Sequence, residues 1–175
     1  MGQANDDEMI VGLMRIVARV GDGHTYVRLP SSLHQFPIAV ASIEGAYRVV
    51  RGAGPAAELV GGKLTRIDDT SVEDAAARIR TLLPQAESDV LFAAFTPQWL
   101  SIAEVMHGLG VARSAAAARF TVMLDDGTER SADVRSIRSR PDRNGGPRRR
   151  TRRSIASVRT KGSGSPGYRR PVLST

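Results

Sequence analysis

Gly61-Gly62-Lys63-Leu64-Thr65-Arg66-Ile67-Asp68-Asp69-Thr70-Ser71 is the stretch that decides the fold: a glycine pair, an alternating run, then a polar turn. Alternation from Lys63 to Ile67 places successive side chains on opposite faces of a strand, and the Asp-Asp-Thr-Ser cluster ends it. Asp69 or Ser71 then caps a helix, because a short oxygen-bearing side chain can accept the otherwise unpaired N–H groups of a first turn. The apolar face of that helix is Val72, Ala75, Ala76, Ile79, Leu82 and Leu83, and Pro84 stops it. A strand that runs straight into an amphipathic helix makes the chain α+β.

Upstream, Phe36 to Ile43 and Ala46 to Arg51 are β-runs separated by Glu44-Gly45, a length and composition suited to a hairpin turn. Pro37 confines the first run to a sheet edge or a strand start, because it has no N–H for a ladder. Gly52-Ala53-Gly54-Pro55 breaks the pattern, and Ala56 to Val60 can form one helical turn. Nearer the N-terminus, Asp6 and Asp7 stand where a cap and an acidic first turn belong. Met9, Ile10, Leu13, Met14, Ile16, Val17 and Val20 then recur at helical spacing, and Gly21 ends the pattern. Thr25 to Leu29 reads as a short strand stopped by Pro30 and Ser31-Ser32.

Downstream, Val90 to Phe95 fits either a strand or a helical turn. Pro97 is expected to open a helix with Trp99, Ile102, Ala103 and Met106 on its apolar face and His107 beside them, up to the Gly108-Leu109-Gly110 break. The runs Phe120 to Leu124 and Glu129 to Val134 flank Asp125-Asp126-Gly127-Thr128, a hairpin signal. From Ser136 onward Arg, Ser, Gly and Pro dominate, and such a segment buries too little apolar area to offset its ordering entropy.

The 175 residues suffice for one domain, or one domain with a small subdomain and a tail. The net charge of +7 is unevenly spread: residues 136–175 carry +11 and residues 1–135 carry −4. A mildly acidic body argues against a folded nucleic-acid surface. Only Lys63 and Lys161 are lysines. The absence of cysteine excludes disulfides, thiol catalysis and Cys-zinc sites. No apolar run is long enough to span a bilayer, and Met1 to Glu8 lacks the basic flank of a secretory signal, so no membrane partner is expected and the compartment stays open.

The amphipathic helix, Gly21-Asp22-Gly23-His24-Thr25-Tyr26-Val27, Phe36-Pro37-Ile38, and Leu59-Val60-Gly61-Gly62-Lys63-Leu64-Thr65-Arg66-Ile67-Asp68-Asp69-Thr70-Ser71-Val72-Glu73-Asp74 follow one another in a way that resembles the tail-specific (C-terminal processing) protease family, in its tricorn-like branch. Trp99-Leu100 and the hairpin around Asp126-Gly127 fit the same pattern loosely, so the resemblance covers roughly residues 5 to 135. It implies an N-terminal cap plus a PDZ-like region of a serine-type peptidase, a hydrolase of peptide bonds whose nucleophile lies in a separate α/β domain. It also implies that His24 is the general base. The domain carrying the nucleophile is expected to be missing, since the arginine-rich stretch stands where it should begin. A frameshift in a GC-rich gene is one origin for that junction.

His24 as a base needs a serine hydroxyl within hydrogen-bond reach and a third group to orient the ring; the motif alone favours an imidazole that ties a loop to a helix end. His34 and His107 share no metal-ligand spacing with it or with each other and read as structural or exposed. Ser31, Ser32 and Ser114 lack the Gly-x-Ser-x-Gly setting of a nucleophile elbow and read as turn and cap residues. Asp68-Asp69 reads as a turn, and Gly61-Gly62 lacks the Lys-Ser/Thr pair of a phosphate loop. Neither a cofactor nor a metal is expected.

These readings combine into an expected layout of a helix and a Gly-Asp-Gly-His-Thr loop and strand over 1–30, a PDZ-like domain over 31–88, a helical segment and hairpin over 89–135, and a disordered basic tail over 136–175. A PDZ-like domain can add a peptide as an extra strand, with Ala46 to Arg51 bordering that groove, or can serve only as packing or as a hinge beside the protease domain. The expected function is that of a truncated tail-specific-type serine peptidase, inactive by itself, with residual peptide binding. Its partners are then a peptide or protein substrate, or a separate catalytic domain. The alternative is nucleic-acid binding through Arg148-Arg149-Arg150-Thr151-Arg152-Arg153, weakened by the lack of interleaved aromatics.

Overall fold

A computed structural model describes residues 5–22, 27, 29–30, 32–84 and 89–138. Its elements are α1 (Asp6–Ala18), β1 (His34–Gln35), β2 (Ile38–Ile43), β3 (Ala46–Gly52), a 3-10 turn (Gly54–Leu59), β4 (Lys63–Ile67) and β5 (Thr70–Ser71), then α2 (Val72–Arg80), α3 (Asp89–Trp99), α4 (Ala103–Gly108), β6 (Ala117–Met123), β7 (Glu129–Arg135) and β8 (Ile137–Arg138). The chain is α+β, with helices around a largely antiparallel sheet ordered β2-β3-β4-β6-β7, to which β5 adds beside β4. β1 pairs separately with β8. No helix among the described residues is long and apolar enough to cross a membrane.

The opening stretch folds as its pattern requires. Leu64 and Ile67 of β4 are buried, Asp68 turns the chain with φ of 49°, and the Ser71 side chain accepts the Asp74 N–H as the cap of α2. Val72, Ala75, Ala76, Ile79, Leu82 and Leu83 are all buried. Glu44 and Gly45 take φ of 52° and 77°, the double left-handed turn whose twist matches a tight hairpin, and it joins β2 to β3. The Asp125–Thr128 turn joins β6 to β7 in register from Ala117–Arg135 to Met123–Glu129. At the centre, Phe36 and Phe120 meet edge to face with centroids 5.2 Å apart, a contact stabilising by about 0.5–1.5 kcal/mol beyond the area it buries.

Three expectations are corrected. The helix expected to open at Pro97 instead begins at Asp89, takes in Val90 to Phe95, and has Pro97 in its last turn; Trp99 ends α3, and Ala103 to His107 belong to the separate α4. Periodicity ran across this joint because Leu100, Ala103 and Met106 all face the core on both sides of it.

The second correction is to the face of α1. Val11, Met14 and Ala18 are buried at 1–2% exposure, whereas Met9, Leu13, Ile16 and Val20, expected on the buried face, are 54–66% exposed. The cause is the docking of α1 on α4. His107 Nδ1 lies 2.6 Å from Asp7 Oδ2, and Gly108 sits so near the Asp7 carbonyl that a Cβ there would lie 2.3 Å from its oxygen. Asp7, Val11, Met14 and Ala18 form one helical stripe, so anchoring Asp7 turns that stripe inward.

The third concerns the chain entering β1. Val27 and Leu29 pack against the core, but neither is in a strand. Thr25, Tyr26 and Arg28 of the expected strand, like residues 139–175, lie outside the described residues.

Candidate functional site

The sheet order leaves β2 at one end, with β3 on one side and no strand on the other among the described residues. α3 packs against β2, and the residues just before β2 meet those just after α3. The Phe36 N–H donates to the Ser101 carbonyl at 2.8 Å, Gln35 bridges to Ile102, and the Ala53 N–H donates to the Pro37 carbonyl at 2.9 Å. Pro37 thus falls at a strand start, where its missing N–H costs no ladder bond. A groove of about 450 Å³ is lined by Ile38, Ala39 and Val40 together with Pro97, Gln98 and Ser101. The wall from α3 is steadied by Thr96, buried, whose hydroxyl donates to the Phe92 carbonyl at 2.8 Å. Tyr47 of β3 also meets Thr96: burial raises its phenol above the ordinary value, and its hydrogen bond with Thr96 partly offsets that.

Ala46 to Arg51 was the run expected to border a peptide groove. Most of it is interior, because β3 pairs with both β2 and β4; its last residue, Arg51, lines the groove together with Gly52. The open backbone edge belongs to Ile38–Ile43 instead.

A second cavity, of about 710 Å³, is bordered by Asp7, His34, Glu104, Arg135 and Ser136. Glu104 is buried and faces His34, with Oε1 2.8 Å from His34 Nδ1 and both carboxylate oxygens 2.9 Å from the His34 backbone nitrogen, which donates to them. The Ser136 hydroxyl donates to the Ala115 carbonyl at 2.7 Å. Among the described residues neither His34 nor His107 bonds a serine or threonine hydroxyl, so both histidines serve as tethers to carboxylates 70 and 100 residues away. Glu104 was not singled out by sequence reasoning, and no local signal marks it, since its partner lies on another element.

His24, the candidate base, lies outside the described residues with Gly23, Thr25 and Tyr26. Ser31 is outside them too, while the Ser114 hydroxyl accepts the Ala116 N–H at 3.0 Å, a turn contact. Asp68 accepts the backbone N–H groups of Arg113 and Arg119, each at 2.8 Å, and Asp69 pairs with the Arg113 guanidinium, so the two carboxylates brace a turn. Gly61 has φ of 90°, and Gly62 lies so close to Val122 that a Cβ would be 2.6 Å from its side chain: both glycines serve the bend into β4. Among the described residues no group of three or more His, Asp or Glu side chains is placed to hold a metal ion.

With this geometry, the architecture is that of an α+β fold. It is similar to the solved structure of mature CPAF complexed with lactacystin, a tail-specific-protease-like serine protease, with a TM-score of 0.53 at 18% identity over 78% of this chain. The likeness is one of fold, and the chain spans about a quarter of CPAF, 26% of its length. No family model matches the chain, and no curated protein matches it.

Proposed function

We propose that this chain is the non-catalytic, PDZ-like part of a tail-specific-type serine peptidase, and that its own activity is to hold an extended peptide against the open edge of β2. The observation that carries the reading is the β2 edge, which has no strand partner among the described residues, beside a groove of about 450 Å³. Strand addition satisfies backbone N–H and C=O groups on both chains and leaves alternate side chains to pockets, so an edge beside a groove is what it needs. The fold likeness to CPAF, a serine protease of which the chain matches a quarter, supports the protease context.

In this reading peptide-bond hydrolysis belongs to a separate catalytic domain that supplies the serine. His24, by its resemblance to the tricorn-like motif, would be the general base contributed to it. Nucleic-acid binding through the Arg-rich stretch gains no support from the fold.

The test has two arms on the purified chain. A serine-reactive fluorophosphonate probe should leave it unlabelled, and specific labelling of one serine would overturn the non-catalytic assignment. In an NMR titration with acetyl-Thr-Val-Thr-Val-Thr-Val-amide, amide shifts should concentrate in Ile38–Ile43 and residues 98–101. Shifts centred on β7 at the opposite end of the sheet, or none at millimolar peptide, would remove the peptide-binding reading.

A further inference from the structure

We propose that the β2 groove selects peptides bearing an acidic side chain opposite Ala39, read by Arg51. The inference rests on the peptide-binding reading above and adds to it a substrate class.

A bulge interrupts the pairing of β2 with β3. β2 and β3 pair as Val40 with Val49 but Ala39 with Arg51, so Val50 is an extra residue in β3. In an uninterrupted strand Arg51 would share the face of Val49, which is buried in the core. The extra residue resets the alternation, so Arg51 escapes the core and lines the groove, with Val50 left exposed. Redirecting one side chain is what a bulge does best.

Charge supplies the second step. Among the described residues that line the groove Arg51 is the one charged side chain, and none of them is a carboxylate. The other arginines of β3, β4 and β6 are each matched: Arg48 to Asp125 at 2.9 Å, Arg66 to Glu129 at 3.5 Å, and Arg119 to Asp133 at 2.8 Å. Arg51 has no such partner among the described residues, so its guanidinium is available to a bound anion.

Geometry supplies the third. A peptide strand beside β2 would lie about 10 Å from β3, two strand spacings. The residue between is Ala39, whose methyl group is too short to separate a guanidinium from a carboxylate reaching across it. An arginine and a glutamate extended toward each other span that distance, and the planar guanidinium can grip the carboxylate with two N–H groups. The same charge disfavours the chain's own residues 136–175 as occupant, since they carry +11. An external acidic peptide is the complementary ligand.

The experiment uses the full chain and three fluorescein-labelled strand-forming peptides that differ at one central position, Glu, Gln or Lys, followed by fluorescence polarisation. The wild-type protein should bind the Glu peptide about threefold to fivefold more tightly than the Gln peptide at low salt, the range of an exposed ion pair, and the preference should fade at high salt. Arg51→Ala should bring the Glu and Gln affinities together, and Arg51→Glu should favour the Lys peptide. A Glu preference that survives in Arg51→Ala, or no preference in the wild type, overturns the selectivity alone. Failure to bind any of the three peptides overturns the peptide-binding reading with it.

Discussion

Two alanine substitutions of glycine in the helical layer should act in opposite directions, and the pair tests how α1 is seated. At Gly108, the last residue of α4, a Cβ would stand 2.3 Å from the Asp7 carbonyl oxygen, 2.7 Å from its carbon and 2.8 Å from Val11 Cγ2. Two of these are backbone atoms of α1, so no rotamer change relieves the clash. Restoring an ordinary contact near 3.4 Å requires α1 to retreat by about 1 Å, a shift that loosens Val11, Met14 and Ala18 and lengthens the 2.6 Å His107–Asp7 contact. Overpacking of this kind costs about 1–3 kcal/mol, against a gain of at most about 1 kcal/mol from the better helix propensity of alanine. Gly108→Ala should therefore destabilise the protein by about 1–2 kcal/mol. At Gly12, inside α1, a Cβ meets nothing within 4 Å. There only propensity acts, and Gly12→Ala should stabilise by about 0.5–1 kcal/mol. Thermal unfolding followed by circular dichroism would read these as melting shifts of several degrees in opposite directions, at about 2–8 °C per kcal/mol for domains of this size range. If Gly108→Ala matches Gly12→Ala in sign, the close seating of α1 on α4 is wrong.

The other tests concern the buried acid and the exposed ones. Glu104→Ala should cost about 1–3 kcal/mol in urea unfolding, because the His34 backbone N–H loses its acceptor; Glu104→Gln keeps an acceptor oxygen and should cost distinctly less, so equal losses would refute the acceptor role. Asp133 is held below the ordinary aspartate range chiefly by the hydrogen bonds from Arg119, and Asp126 chiefly by the Thr128 N–H. Since both values are depressed on folding, their contribution is present above the unfolded pKa of about 3.9 and is lost as pH falls through the lower folded values. Carboxyl NMR titration should place both midpoints below about 3.9, and Arg119→Gln should raise that of Asp133 while leaving Asp126 in place. A midpoint for Asp133 that ignores Arg119 would show the pair to be without electrostatic effect.

Much of the local structure was legible because its causes are local. Lys63–Ile67, the Asp68-Asp69 turn, the Ser71 cap and the buried face of α2 form one continuous pattern, and the Glu44-Gly45 turn joins strands whose alternation begins on either side of it. The candidate site was less legible. His24 stood out through its glycine-flanked motif, yet Glu104, which grips His34, carried no mark, since a carboxylate becomes a partner only when the fold brings its element alongside. Arg51 read as one more strand residue because a bulge is a mismatch between two strands and has no signature in either alone.

What the sequence by itself determined is the class of fold, both hairpins, the strand-turn-helix unit at its centre and the split between an acidic body and a basic C-terminal stretch. These follow from periodicity, turn chemistry and charge, which act over a few residues. The tertiary structure alone decided which face of α1 is buried, which strand edge is open and where Arg51 points. α1 carries two apolar stripes about 200° apart, Val11-Met14-Ala18 and Met9-Leu13-Ile16-Val20, and period alone cannot choose between them. The choice was made by Asp7 meeting His107 and by Gly108 letting the two backbones touch, contacts about 100 residues apart along the chain.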